Sequence, residues 1–315
     1  MVEKLDSDRL LWYVIGKRLV RNTLTAQGGS DTMKEGLASR IKKILSFEEQ
    51  EALGPKRAHV IAVSNQKGGV GKTTTAVNLG AALALFRRLK VLIVDMDAQG
   101  HVSPSLQQGY AENGNGISTV LASRNGSLLQ AVVPTDIECL DITLSDRSLL
   151  ETESQLAAKI GREFILRKAL ATARTYYDFI IIDCPPNLGH LTVNAYVAAD
   201  YLIIPCEMSA LALDGMESVL ETVETVNYRL NHQLRILGIL PTRVDHRNTV
   251  MNATIQKKLE DYFGGRVFKS QITVNTDLNK SQLEGRPIFL FAPHSSGAAD
   301  YMRFTEEVLE RLPPL

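Results

Sequence analysis

The sequence predicts a three-layer α/β domain on a mostly parallel, twisted sheet, with a short helical extension ahead of it. Three observations carry this. From Lys56 onward, segments of strand and helix character alternate, the order that produces a parallel sheet with helices on both faces. Strand runs such as Tyr201-Leu202-Ile203-Ile204-Pro205 are apolar without alternation, as strands covered on both faces are. A glycine-rich run, Ser64 to Thr75, separates an apolar strand, Val60 to Val63, from a helical pattern starting at Ala76. Strand, glycine loop and helix in that order build an anion site.

Taken in order, residues 1–57 read as a separate helical extension. Ser7 caps a pattern carrying Leu10, Leu11, Val14, Ile15 and Leu19, and Gln27-Gly28-Gly29-Ser30 breaks it. Asp31 caps a second pattern with Met33, Leu37, Ile41, Ile44 and Leu45, and a short acidic turn ends at Gly54-Pro55. Residues 58–315 form the second unit, with strands expected at 59–64, 90–95, 138–144, 178–183, 201–205, 235–241 and 267–272. Helices are expected at 72–86, 147–158, 161–175, 190–199, 211–230, 250–262, 276–284 and 295–312. The stretch 101–135, rich in Gly, Asn and Ser, reads as surface loops with one short helix.

Composition narrows the function classes. A chain of 315 residues buries one large core plus an appendage. Its three cysteines, Cys139, Cys184 and Cys206, lack metal-ligand spacing and read as small buried apolar residues in a reducing compartment. No apolar run reaches the roughly 18 residues of a membrane span, and Met1 to Asp6 has no signal-peptide character. A cytoplasmic protein is expected. Net charge is zero, so bulk electrostatics announce no nucleic acid. From Arg229 to Arg303, however, eleven Lys/Arg stand against six Asp/Glu, an excess of five positive charges.

The loop has a chemistry of its own. Gly68, Gly69 and Gly71 let the backbone curl with its N–H groups inward, and the following helix adds roughly half a positive charge at its N-terminus. Lys72 supplies a point charge for the β- and γ-phosphates of a nucleoside triphosphate, and the Thr73 hydroxyl is placed to ligate Mg²⁺. Phe179-Ile180-Ile181-Ile182-Asp183 is an apolar strand ending in an acid, the Walker B pattern. Its carboxylate would hold Mg²⁺ through water, as this ion prefers, at the carboxyl edge of a parallel sheet where ligands bind.

The loop departs from the common pattern in having Gln66 where glycine is usual, followed by Lys67. The resulting run K-G-G-x-G-K-T resembles the deviant Walker A motif of the ParA/MinD family of ATPases. Val91 to Gly100, with Asp95 and Asp97, resembles that family's second signature, Ala98 standing for its usual proline and His101 for a small polar residue. Asp183-Cys184-Pro185-Pro186 resembles its γ-phosphate-sensing segment. Ile204 to Glu207, Leu240 to Asp245, Gly285-Arg286-Pro287-Ile288 and the last helix extend the likeness over about residues 58–312.

The resemblance implies a three-layer P-loop NTPase fold with ATP and Mg²⁺ as cofactors. It implies ATP contacts by Lys67, Gly68, Gly69, Val70, Gly71, Lys72, Thr73 and Thr74, with Thr242 and Arg243 near the base or ribose. Mg²⁺ would be organised by Thr73, Asp97 and Asp183. Asp97 would position the attacking water. Lys67 would reach the phosphates of a second subunit, so that ATP drives face-to-face homodimerisation.

The family also implies slow hydrolysis unaided, stimulated by a ParB-like or other cargo adaptor. Non-specific double-stranded DNA would be bound by the basic C-terminal third, and the protein would associate with the nucleoid. Arg247, Lys257, Lys258, Lys269 and Arg286 are the candidate DNA contacts. The cargo, whether plasmid, chromosome or protein assembly, is left open. Four alternatives bear on the same sequence. A MinD-like membrane cycle needs a basic amphipathic C-terminal helix, whereas residues 305–315 are acidic and end in proline and leucine. An operator-reading repressor would use the helices of residues 1–57, which suit equally a dimerisation arm, a partner arm or a cap. A redox protein like the nitrogenase iron protein needs cysteines in glycine-flanked loops, and Cys184 and Cys206 are in none. Biosynthetic ligases share the loop, but no organic-substrate pocket is evident.

Overall fold

The computed structural model describes residues 58–108, 116–123, 125–144, 146–209 and 214–314. The extension expected over residues 1–57 lies outside them. Strands β1 (His59–Val63), β2 (Val91–Asp95), β3 (Val132–Pro134), β4 (Leu140–Thr143), β5 (Phe179–Asp183), β6 (Tyr201–Glu207) and β7 (Arg235–Thr242) form one sheet. Its order is β3-β4-β2-β5-β1-β6-β7. Every neighbouring pair is parallel except β3 with β4.

Helices intervene between strands in the order the alternation predicts. They are α1 (Lys72–Arg87), α2 (Ile117–Ala122), α3 (Leu149–Leu156), α4 (Ile165–Ala169), α5 (Ala173–Tyr176) and α6 (His190–Ala198). After them come α7 (Asp214–Arg229), α8 (Thr249–Phe263), α9 (Thr276–Leu283), α10 (Ile288–Phe291) and α11 (Ser296–Arg311). No helix among the described residues is long and apolar enough to cross a membrane.

The core explains the unalternating strand runs. All residues of β2 and β5 are buried, and β1 is buried from Val60 to Val63. Each fully buried Val, Ile or Leu contributes about 1.5–3 kcal/mol, so these strands supply the stability that tolerates polar groups at their carboxyl ends. Helix α1 is buried from Thr75 to Ala84 and is apolar on nearly every side, because the sheet covers one face and α10 and α11 pack on another. It lies close on the sheet. A Cβ at Gly80 would come within 2.8 Å of Ile93 Cδ1, so glycine sets that approach.

Four expectations are corrected. Residues 267–272 are not a strand. They run beside β7 with bridges only at Ile239–Val267 and Val244–Thr273, because the amides of Lys269 and Ser270 donate to the Glu307 carboxylate at 2.9 and 2.8 Å. The single helix expected over 161–175 is a 3-10 turn followed by α4 and α5. There the Leu166 amide donates to Asn194 Oδ1 at 3.1 Å, which fixes a fresh start. The 101–135 stretch is not only surface: Val102, Ile117, Leu121 and Leu128 are fully buried, and β3 adds an antiparallel edge. Cys184 and Cys206 are buried as expected, whereas Cys139 is half-buried with a left-handed backbone, φ 69°.

Candidate nucleotide-binding site

The site grows from the carboxyl ends of β2, β5, β1 and β6. Strand β1 lies between β5 and β6, and the ladder continues past its end, Ser64 N donating to Ile203 O at 3.1 Å. The glycine loop leaves there. Asn65 anchors it, donating to Pro205 O at 2.7 Å and accepting from the Lys67 amide at 3.0 Å. Gly69 and Gly71 take left-handed backbones, φ 73° and 92°, and Gly71 is the residue before α1. Any L side chain at these two positions is strained. The far side of the loop is tied to β7, since Thr242 Oγ1 donates to Val70 O at 2.9 Å.

Lys72, Thr73, Asp97 and Asp183 come together as expected. Lys72 is 7% exposed, and its ammonium donates to the Lys67 carbonyl at 3.2 Å. Burial lowers its pKa, opposed by Asp183, Cys184 and Asp97 nearby. Thr73 Oγ1 donates to Asp183 Oδ2 at 2.7 Å. Asp183 is 1% exposed, and its other oxygen, Oδ1, is buried with no hydrogen-bond partner. Burial raises the Asp183 pKa, the Thr73 hydroxyl opposing and Asp97 adding to it.

A buried carboxylate oxygen without a donor is the kind of group a cation or its water satisfies. Thr73 and Asp183 therefore fit Mg²⁺, which takes oxygen ligands and keeps several waters. Asp97 sits in a tight turn, its Oδ1 accepting from the Gln99 amide at 3.0 Å and its carbonyl from the Gly100 amide at 2.8 Å.

Asp95 is the residue that sequence reasoning passed over. Fully buried at the end of β2, it accepts from the Asp97 amide at 3.0 Å and the Val102 amide at 3.2 Å. It thereby fixes the turn that carries Asp97. Burial and the neighbouring Asp183 raise its pKa well above the carboxylate range, against those two amides. Glu207 is the second omission. It accepts the Lys67 ammonium in an ion pair, and Lys67 also donates to Ser209 Oγ at 3.3 Å. Arg243 Nε lies 3.5 Å from the same carboxylate, and Arg243 Nη1 lies 3.4 Å from Gly69 O. The signal for both is the one that marks Asp183, an acid at the carboxyl end of a parallel strand.

The basic candidates are not gathered at this site. Lys257 and Lys258 are exposed on α8, and Lys269 and Arg286 are exposed in loops. Arg247 is exposed and forks onto Asp245, its Nε and Nη2 lying 2.9 and 2.7 Å from the two carboxylate oxygens. Lys269 lines an open cleft of about 650 Å³ with Asp245, His246 and Arg303. Cys184 and Cys206 are 0% and 1% exposed, so neither presents sulfur to a second subunit.

The sequence matches the AAA domain family over residues 58–236. It is 39% identical to the sporulation initiation inhibitor protein Soj of Bacillus subtilis over 249 residues, which is 79% of this chain and 97% of that protein. The chain belongs to the ParA/MinD family of P-loop ATPases. It is similar, at 36% identity, to the chromosome partitioning protein ParA of Caulobacter vibrioides, across 80% of this chain and 94% of that one. Among solved structures it is similar to cobyrinic acid a,c-diamide synthase of Mycobacterium smegmatis with bound ADP and magnesium. The TM-score is 0.69 and the identity 33%, over 80% of this chain and 94% of that one. A putative plasmid partition protein of Borrelia burgdorferi bound to AMPPNP gives a TM-score of 0.68 at 25% identity, over 81% and 100% of the two chains.

Proposed function

We propose that this chain is a partition-type ATPase. ATP with Mg²⁺ occupies the loop, brings two subunits face to face, and switches on binding to bulk DNA. A cargo-bound partner then stimulates hydrolysis and release. The observation that carries the reading is the pair of lysines in one loop. Lys72 is buried against the loop backbone, while Lys67 is part-exposed and held by an ion pair to Glu207, 38% and 27% exposed. A lysine held by a weak pair at the loop's rim is suited to a second subunit's triphosphate, and one buried under the loop to its own. The likeness to the chromosome partitioning protein ParA supports the partition reading. Asp97 positions the attacking water, and Thr73 and Asp183 organise the metal. Turnover is slow without the partner, because the ATP-bound state is the signal, and the protein works in the cytoplasm on the nucleoid.

The test is binding of the full chain to unrelated duplex DNA with ATP, ADP or no nucleotide across a salt series. Binding confined to ATP is expected. Equal binding in all three states, or none with ATP at low salt, removes DNA as the track. Similarity to the diamide synthase favours one other reading, ATP-dependent activation of a carboxylate for amide formation. It would show as turnover that requires an added carboxylic acid and an ammonia source, and that ignores DNA.

A further inference from the structure

We infer that Glu207 is a positioning residue that holds Lys67 within its own subunit, and that Arg243 takes over the Glu207 carboxylate when Lys67 leaves. This rests on the reading of Lys67 as the lysine that reaches a second subunit. It adds a device that sets how much ATP that step requires.

Three placements support it. Glu207 ends β6 beside the loop, and one of its oxygens takes the Lys67 ammonium. Its other oxygen faces Arg243 Nε at 3.5 Å, near but not yet a tight pair. Arg243 is held where it can close that gap. It adopts a left-handed backbone, φ 52°, directly after Thr242, whose hydroxyl is fastened to Val70 O, and its Nη1 reaches toward Gly69 O. One carboxylate thus has two cationic claimants, one from the loop and one from the end of β7.

Electrostatics give the arrangement its direction. Were Lys67 to leave alone, Glu207 would be stranded part-buried without a counter-charge, and that penalty would hold the lysine in place. With Arg243 waiting, the carboxylate stays neutralised and release meets little resistance. The hold is also weak. Lys67, Glu207 and Arg243 side chains are 38%, 27% and 61% exposed, and pairs so exposed shift an equilibrium by no more than about fivefold. A triphosphate presents several negative charges in place of one and wins the lysine. An isolated surface pair without function would have the same geometry at Glu207 and Lys67, but it gives no reason for opposite effects at Glu207 and Arg243.

Those opposite effects are the test. Sedimentation velocity of the full chain across an ATP series gives the concentration for half-maximal dimerisation. Glu207→Gln is expected to lower it about three- to fivefold, and Ser209→Ala to lower it less, by removing the second Lys67 acceptor. Arg243→Ala is expected to raise it by a similar factor in the wild-type background and not in the Glu207→Gln background. An Arg243 effect that persists in the Glu207→Gln protein assigns it to nucleotide contact and overturns the hand-over. A midpoint unchanged or raised by Glu207→Gln overturns the holding role. So does dimer formation restored by Glu207→Gln in a Lys67→Ala protein. The underlying reading fails separately: if Lys67→Ala alone dimerises with ATP as the wild type does, Lys67 is not the trans lysine. If Lys67→Ala loses the dimer while Glu207→Gln behaves as wild type, only the holding role falls.

Discussion

Asp95 and Asp183 are register partners at the carboxyl ends of β2 and β5, and both are sealed from solvent. Two like charges in one dry place repel, and burial penalises each, so both pKa values are raised. The sign of the consequence is fixed by linkage. A carboxyl group with a raised folded pKa contributes its stability below the unfolded value, near pH 4, and loses it as pH rises through the folded value. The pair is therefore expected to destabilise the protein at neutral pH when no cation is bound, and Mg²⁺ is expected to relieve it. Asp183→Asn should melt higher than wild type in EDTA, with the gap widening from pH 5 to pH 8, and should lose the stabilisation by Mg²⁺ and nucleotide. Thermal melts in those four conditions decide it. A variant that melts lower in EDTA at pH 8 refutes the idea that these two acids are held together against their repulsion.

The two lysines should separate by what they lose. Lys72→Ala removes the buried cation under the loop, and nucleotide affinity should fall at least about a hundredfold, in line with loss of a charge-assisted contact of roughly 3 kcal/mol. Lys67→Ala leaves that cation in place, so affinity should change less than about tenfold while ATP-dependent dimerisation and turnover are lost. Fluorescent-nucleotide titration and phosphate release measure the two effects. Equal loss of affinity in both variants would mean that Lys67 serves its own subunit's phosphates.

What the sequence discloses of this site depends on whether the cause is local. The loop from Lys67 to Thr74 is legible because strand, glycines and helix follow one another directly, and Asp183 because it closes an unbroken apolar strand. Asp95 carries the same strand-end signal, but its role is not legible. Its role comes from the pairing of β2 with β5, which sets it beside Asp183, and from two amides that reach it only once the 97–102 turn is folded. Glu207 is hidden for the same reason, since its partners Lys67 and Arg243 lie on different segments joined by the sheet. In the fold, the apolar runs identify β1, β2 and β4 to β7, while the edge at 267–272 misleads. Val267, Phe268 and Ile272 are apolar as a strand would be, yet Glu307, a residue on α11, takes the amides that a ladder would use.

Asp97 offers the test of catalysis apart from binding. Its carboxylate is part-buried in the turn held by Asp95, and its removal leaves both loop lysines in place, so nucleotide affinity should be spared. Asp97→Ala is expected to bind ATP within a few-fold of wild type, to dimerise, and to stay dimeric for hours because the attack step is slowed about a hundredfold or more. Asp95→Asn should reproduce part of that defect by loosening the turn, lowering kcat more than it raises KM. Single-turnover hydrolysis with sedimentation in parallel reads both. Wild-type turnover by Asp97→Ala would remove the water-positioning role.

The basic candidates should divide by whether their charge is already balanced. Arg247 forks onto Asp245 through both carboxylate oxygens, and that pairing lowers the Asp245 pKa to about 2. Lys257 and Lys258 stand exposed on α8. A phosphate that binds Arg247 must first compete with Asp245, whereas one that binds α8 meets a solvated ammonium group with no carboxylate fork on it. If each subunit holds about three phosphates, the log–log salt slope should steepen from about −3 in the monomer to about −5 in the ATP dimer. Lys257→Ala with Lys258→Ala should then flatten the dimer slope by about 0.9 for every phosphate no longer neutralised, counted once in each subunit. Arg247→Ala should change it less, because Asp245 already neutralises Arg247, which therefore releases few counterions from a phosphate of its own. Fluorescence anisotropy on an unrelated duplex with ATP, across a salt series, makes the comparison. A slope that the lysine pair leaves untouched but Arg247→Ala flattens would move the DNA interface from α8 to the cleft that Asp245, His246 and Lys269 line.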